Sequence, residues 1–250
     1  MIRLTSLSAK PHLDKLHCMK NSPFAETLFL DTDTYVCGEL SGLFELLVQF
    51  DIAMTLDRRY YDDFPPDVGV PGSFCEFNQG VVAFRGSERM QAMLQAALEW
   101  AERIRVRTGV STGDQIPTRL ALYSSGLRIA PLPLEYNCRF HSYGYLNGKV
   151  RILHARILGL RHTATNLERI ARKLNEHTVP RVFVGGRMHV LGLRQVLGQD
   201  HMFARRGPIL FRPSAANAKM VLGRIVNRGR RALASVGTLL RPGPGSPRSS

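Results

Sequence analysis

At 250 residues, with 44% hydrophobic and 22% charged residues, the chain is long enough to bury a sizeable core and reads by default as one ordinary globular domain. Its 34 Lys and Arg against 20 Asp and Glu give a formal charge of +14, which attracts polyanions: nucleic acid, an anionic membrane or phosphorylated substrates. No run approaches the ~18 apolar residues of a membrane span, the N-terminus lacks the apolar core of a signal peptide, and Cys18, Cys37, Cys75 and Cys138 are too scattered for a metal site, in a chain too long to need stapling.

These features predict a cytosolic protein whose cysteines are reduced and mostly buried. Residues 13–20 suit a short helix that ends before Asn21-Ser22-Pro23. Residues 27–30 (TLFL) read as a buried strand that runs into Asp31-Thr32-Asp33-Thr34. A strand interior does not hold two carboxylates without partners. The pair therefore belongs where strand gives way to loop, the place where open α/β sheets bind ligands. If a turn brings Asp31 and Asp33 together, a cation or a donor must offset their repulsion. A hard divalent ion shared with substrate phosphates is one solution; loop acids that cap or form Asx-turns are the other.

Residues 38–50 have helical periodicity, with Leu40, Leu43, Phe44 and Leu47 on one face, and 51–55 form a short strand, so that strand, helix and strand make a crossover unit. Asp51 caps this strand or reaches the site. Residues 57–75, rich in Pro, Gly and Asp, form a long loop of active-site type in which Arg58, Arg59, Tyr60 and Tyr61 are either acceptor contacts or a surface patch. Asn78 and Gly80 mark a turn before a strand at 81–84. Ser87 or Gly86 caps a long helix with Met90, Met93, Leu94, Ala97 and Ala101 inward and Trp100 packed. Thr112-Gly113-Asp114-Gln115 opens another helix, where Asp114 suits the N-terminus by charge and by capping. A strand over 148–154 ends at His154, with Arg156 beyond it. Residues 162–177 form an amphipathic helix with Leu167, Ile170, Ala171 and Leu174 inward, and 181–191 a hairpin around Gly185-Gly186.

The last fifty residues carry ten Arg or Lys and no acid. Residues 215–240 read as a basic amphipathic helix, suited either to an anionic membrane surface or to packing on the preceding domain. Residues 241–250 have the composition of a disordered tail. No helix-turn-helix, zinc-finger or aromatic-basic sheet signature is present, so nucleic acid is not an expected partner.

The segment SPFAE-TLFLDTDTYV resembles the DxD region of nucleotide-diphospho-sugar transferases with the GT-A fold, and four later blocks extend the resemblance over roughly 13–156: EFNQGVVAF, the Asp114-Gln115 pair at a helix start, LPLEYN, and a late strand ending in His154. In EFNQGVVAF, Gln79 stands where the family more often has Thr or Ser. The resemblance implies an α/β fold with a mixed sheet flanked by helices. It implies Mn2+ or Mg2+ held by Asp31, Asp33 and His154, and a donor bound with Lys15, Gly80, Asn137 and Arg156. Asp114, Gln115 and Asn78 would act at the reacting sugar.

The implied reaction moves a sugar from a nucleotide-diphosphate sugar to a hydroxyl of a glycan, lipid or small molecule, and the motifs resemble retaining members more than inverting ones. Only 30 residues precede Asp31, fewer than the family's first β-α-β portion needs, so that portion is expected to be missing and the sheet to expose an edge. The expected organisation is a catalytic domain over 1–200, a basic extension over 201–240 and a tail over 241–250, placed in the cytoplasm or on the inner membrane face. The alternative is a truncated, non-catalytic relative that binds a partner or an anionic membrane.

Overall fold

The computed structural model describes residues 11–57, 69–109, 113–154, 163–177 and 179–191. The loop at 58–61, Arg156, the basic segment at 215–240 and the tail lie outside the described residues. The fold is α/β, a mixed sheet flanked by helices. Its centre is a four-stranded sheet in the order β1 (Glu26–Leu30), β4 (Phe77–Arg85), β3 (Ile52–Leu56), β5 (Ile129–Leu132). β4 runs antiparallel to both its neighbours, and β3 runs parallel to β5. The crossover predicted around 38–50 therefore exists but spans β4: β1 and β3 are parallel without being adjacent.

Alternation along β3 and β4 separates two apolar layers. One face carries Ile52, Met54, Val82 and Phe84 against helix α1 (Pro11–Lys20), α3 (Glu88–Thr108) and α4 (Gln115–Ser125). The other carries Ala53, Ala83, Ala130 and Leu132 against Leu43 of helix α2 (Ser41–Leu46) and Leu47 directly after it. The α3 stripe is as the sequence predicts: Met90, Met93, Leu94, Ala97 and Ala101 are buried, and Ser87 Oγ accepts the Met90 N–H as an N-cap. α2 is shorter than predicted. Glu39 accepts the N–H groups of Leu40 and Ser41, which starts the helix late, and Phe44 is left 37% exposed.

β4 differs from the reading of 78–80 as a turn. Asn78, Gln79 and Gly80 are strand residues, and the register against β3 jumps from Met54↔Val82 to Thr55↔Asn78. The irregularity leaves residues 79–81 without direct partners on β3, as a bulge does. Among the described residues β1 pairs with β4 alone; its side chains are half-buried or exposed, whereas β4 is buried along almost all its length.

A second, smaller core holds Phe140, Leu146, Leu153, Leu167, Leu174 and Phe183. It lies under the pair β2 (Thr34–Val36) and β7 (Ile152–His154), helix α5 (Ala164–Asn175), and a sheet of β6 (Tyr143–Leu146), β8 (Arg181–Val184) and β9 (Arg187–Val190). The predicted hairpin is present, and Gly185 and Gly186 both take positive φ, as a two-residue turn between twisted strands requires. β6 was not foreseen, because Tyr143-Gly144-Tyr145-Leu146 offers a single fully apolar residue to a pattern search. All four cysteines are free, but Cys18 and Cys75 are exposed, so the expectation of mostly buried thiols holds for Cys138 and in part for Cys37. No helix among the described residues is long and apolar enough to cross a membrane.

Leu94 is fully buried between α3 and the sheet. Leu94→Ala is expected to destabilise the fold by about 3 kcal/mol, a deletion plus cavity effect, measured by urea unfolding as a lower midpoint at unchanged m-value.

Candidate metal and donor site

β1 and β3 are parallel, so their carboxyl ends open on one side of the sheet, each followed at once by an acid: Asp31 after β1 and Asp57 after β3. The Asp31 N–H donates to the Gly80 carbonyl in the β4 bulge (2.9 Å), and the Thr34 N–H and hydroxyl both donate back to the Asp31 carbonyl (3.1 and 2.8 Å). That turn folds Asp33 towards Asp31. β2 then pairs with β7 in a register that sets Thr34 opposite His154, beside Asp33. His154 Nε2 lies 3.2 Å from Asp33 Oδ1 and 3.8 Å from Asp31 Oδ2. Ligand atoms of the three residues all fall within 4.8 Å of one another. Both separations are short enough for one ion to reach both ends at the ~2.1 Å bond length of a small divalent cation. A set of two carboxylates and one imidazole therefore fits such an ion.

The orientation of His154 is dictated by a chain of amides. The Gly80 N–H can only donate, and it donates to Asn78 Oδ1 (3.0 Å). Asn78 Nδ2 consequently faces Asp57 Oδ2 (3.1 Å). Asn137 Nδ2 donates to the same Asn78 oxygen (2.8 Å), which turns Asn137 Oδ1 towards His154 Nδ1 (2.8 Å). Nδ1 therefore carries a proton, and Nε2 is the ring nitrogen that faces the two aspartates. A parallel bridge between Cys138 and Leu153 holds Asn137 beside the end of β7. Asn137 is thus a positioning residue behind the cluster, as metal-site histidines commonly have.

Lys15 projects from α1, whose Leu16 and Met19 are buried in the core. Its Nζ contacts Asp31 Oδ1 at 2.8 Å and Asp114 Oδ2 at 3.0 Å, with only 15% of the side chain exposed. Burial alone would lower the Lys15 pKa; the charges of Asp114 and Asp31 and their hydrogen bonds outweigh it and hold the ammonium above the ordinary lysine value. Asp114 stands at the start of α4 as predicted, but its side chain makes no capping bond there and goes to Lys15 instead. Gln115 donates to Asp57 Oδ2. Gln79 is buried and donates to the Asp114 carbonyl (2.9 Å), so it holds the start of α4. Asp51 pairs with Arg128 away from the site, which settles its structural role.

The structure thus gathers Lys15, Asp31, Asp33, Asn78, Gly80, Asp114, Gln115, Asn137 and His154 into one network; Arg156 is outside the described residues. Sequence reasoning missed Asp57, whose side chain has no exposure and accepts from Asn78, Gln115 and Arg139 Nη1 (3.1 Å), and it missed Arg139 itself. The signal for Asp57 was present: like Asp31, it is an acid placed directly after an apolar strand. Asp57, Asn78, Asn137 and Arg139 line a small recess beside the cluster, together with Thr55, Leu56 and Leu134.

No protein-family model matches the chain, and no curated protein matches it. Among solved structures it is similar to the galactosyltransferase LgtC in complex with donor and acceptor sugar analogues, at 14% identity and a TM-score of 0.44, over 70% of this chain and 69% of that one. It is also similar to the glycosyltransferase GlyE of Streptococcus pneumoniae TIGR4, at 18% identity and a TM-score of 0.42. That match covers 70% of this chain and 44% of GlyE, so the chain spans less than half of GlyE's length.

A β-carbon on Gly80 would overlap the His154 ring. Gly80→Ala is expected to turn that ring and to weaken Mn2+ binding by at least about tenfold, read by calorimetry against Gly113→Ala, where a β-carbon meets open space. Lys15→Met leaves Asp31 and Asp114 without their shared cation and is expected to cost about 2 kcal/mol, between the values for exposed and buried pairs. Because the folded pKa of Lys15 is raised, its contribution is complete below the unfolded value and is lost only as pH rises through the folded one. The stability gap between wild type and Lys15→Met in metal-free buffer should therefore stay level between about pH 7 and pH 9 and close only in strong alkali.

Proposed function

We propose that this chain is a metal-dependent glycosyltransferase that moves a sugar from a nucleotide-diphosphate sugar to a hydroxyl acceptor. The observation that carries the reading is the Asp31, Asp33, His154 cluster at the carboxyl end of β1. It combines the two acids of the DxD-like segment with the late-strand histidine that the sequence resemblance paired with them. In this reading Asp31, Asp33 and His154 hold Mn2+ or Mg2+, which as a Lewis acid offsets the charge of the departing nucleoside diphosphate.

The other residues divide by position. Lys15 bridges Asp31 and Asp114, offsets their mutual repulsion, and brings positive charge next to the donor phosphates. Gly80 leaves room for the His154 ring, and Asn137 fixes that ring. Asp114, which pairs with Lys15, and Gln115 and Asn78, which both donate to Asp57, are assigned to the transferred sugar. Asp57 and Arg139 close the recess and orient Gln115 and Asn78. A cytoplasmic location and contact of 215–240 with an anionic membrane complete the proposal.

The test is calorimetric binding of UDP and other nucleoside diphosphates to the 250-residue chain with and without Mn2+. Binding that requires the metal and disappears in Asp33→Ala is the expected result. A folded chain that binds no nucleoside diphosphate would overturn the reading and leave a non-catalytic relative in its place.

A further inference from the structure

The smaller sheet carries an aromatic face that the catalytic reading does not use. The pairing of β6 with β8 and of β8 with β9 sets Tyr143, Val184 and Arg187 in one cross-strand row and Tyr145, Val182 and His189 in the next. Rows two residues apart along a strand are spaced by ~7 Å. Leu146, Arg181 and Phe183, on the opposite face, are fully buried, so alternation turns the tyrosines to solvent; Tyr143 is 54% and Tyr145 47% exposed. Arg187 and His189 are exposed beside them, the two valines are half-buried, and neither row contains an acid. The sequence reading found no aromatic-basic sheet because this one is assembled from two distant segments.

The face is joined to the candidate site through the segment from Arg139 to Tyr143. The Gly185 and Gly186 N–H groups, at the end of the sheet where the Tyr143 row lies, donate to the Ser142 and Phe140 carbonyls (2.6 and 2.9 Å). Arg139, the residue before Phe140, reaches Asp57 in the recess. An acceptor lying across Tyr143 and Tyr145 would thus lead towards the recess lined by Asp57, Asn78 and Arg139.

We infer that this face is an acceptor subsite for an oligosaccharide bearing a carboxylate or phosphate group, an inference that rests on the glycosyl-transfer reading. A pyranose ring presents a flat C–H face to an aromatic ring and keeps its hydroxyls at the edge, where tyrosine adds a polar tip to an apolar body. Val182 and Val184 widen the apolar floor between the tyrosines and the basic residues. The Arg187 guanidinium matches one anionic group with paired donors. A nucleic-acid strand calls for a positive groove that follows successive phosphates, and one guanidinium beside one imidazole does not make such a groove.

The test titrates the full chain with carboxylated (oligogalacturonate), phosphorylated (phosphomannan fragment) and neutral (maltohexaose) oligosaccharides and with single-stranded oligo-dT, following Mn2+-UDP binding in parallel. The expected result is tightest binding of an acidic oligosaccharide, weakened at least about tenfold by Tyr143→Ala with Tyr145→Ala. The paired Phe substitutions should keep most of the affinity, Arg187→Gln should erase the preference for acidic chains, and Mn2+-UDP binding should not change. The inference is overturned if no oligosaccharide binds, if binding survives loss of both rings, or if oligo-dT binds more tightly than every oligosaccharide. If wild type binds the oligosaccharide but not Mn2+-UDP, the transfer reading fails and the acceptor role with it, while the oligosaccharide site stands.

Discussion

Four carboxylates converge at the carboxyl ends of two parallel strands, and the local structure is a set of answers to their mutual repulsion. Asp31 and Asp114 share Lys15; Asp57, with no exposure, takes donors from Asn78, Gln115 and Arg139; Asp33 faces His154. Each partner comes from a different element, so the site draws together α1, β1, β4, α4, the segment around Asn137 and β7. Loss of any one partner leaves charge in a poorly hydrated place, where it is costly. The Asp31, Asp33, His154 side is also the side open to accept a further cation.

The irregular stretch of β4 makes this arrangement possible. A regular pairing with β3 would leave no slack at Gln79 to Val81. The bulge instead lets the Gly80 carbonyl receive Asp31, the Gly80 N–H hold Asn78, and the bare Gly80 α-carbon admit the His154 ring. From that anchored Asn78, donors run in one sense, His154 to Asn137 to Asn78 to Asp57. A backbone feature of one strand thus fixes which ring nitrogen of His154 faces Asp31 and Asp33.

Much of this was legible in the sequence, for identifiable reasons. Asp31 and Asp33 stood out because acids directly after an apolar strand conflict with burial, and the α3 stripe because its period is long and unbroken. Asn78 and Gly80 were picked out but placed in a turn: their residue types favour turns, and a bulge inside a strand leaves no periodic trace. Asp114 was read both as a helix cap and, through the family resemblance, as a residue at the sugar; its pairing with Lys15 was missed because it spans most of a hundred residues and has no local signature. Asp57 obeys the same rule as Asp31 but was hidden by the Pro- and Gly-rich stretch it opens. The tyrosine face on β6 was invisible, since its partner strands follow only after α5.

The most direct test of the candidate metal cluster is pulsed EPR of Mn2+ added to the purified chain. The account predicts nitrogen modulation from one histidine imidazole, lost in His154→Gln while Mn2+ still binds more weakly through the aspartates. Bound Mn2+ that shows no imidazole nitrogen in the wild type, or a nitrogen signal that persists in His154→Gln, would contradict it.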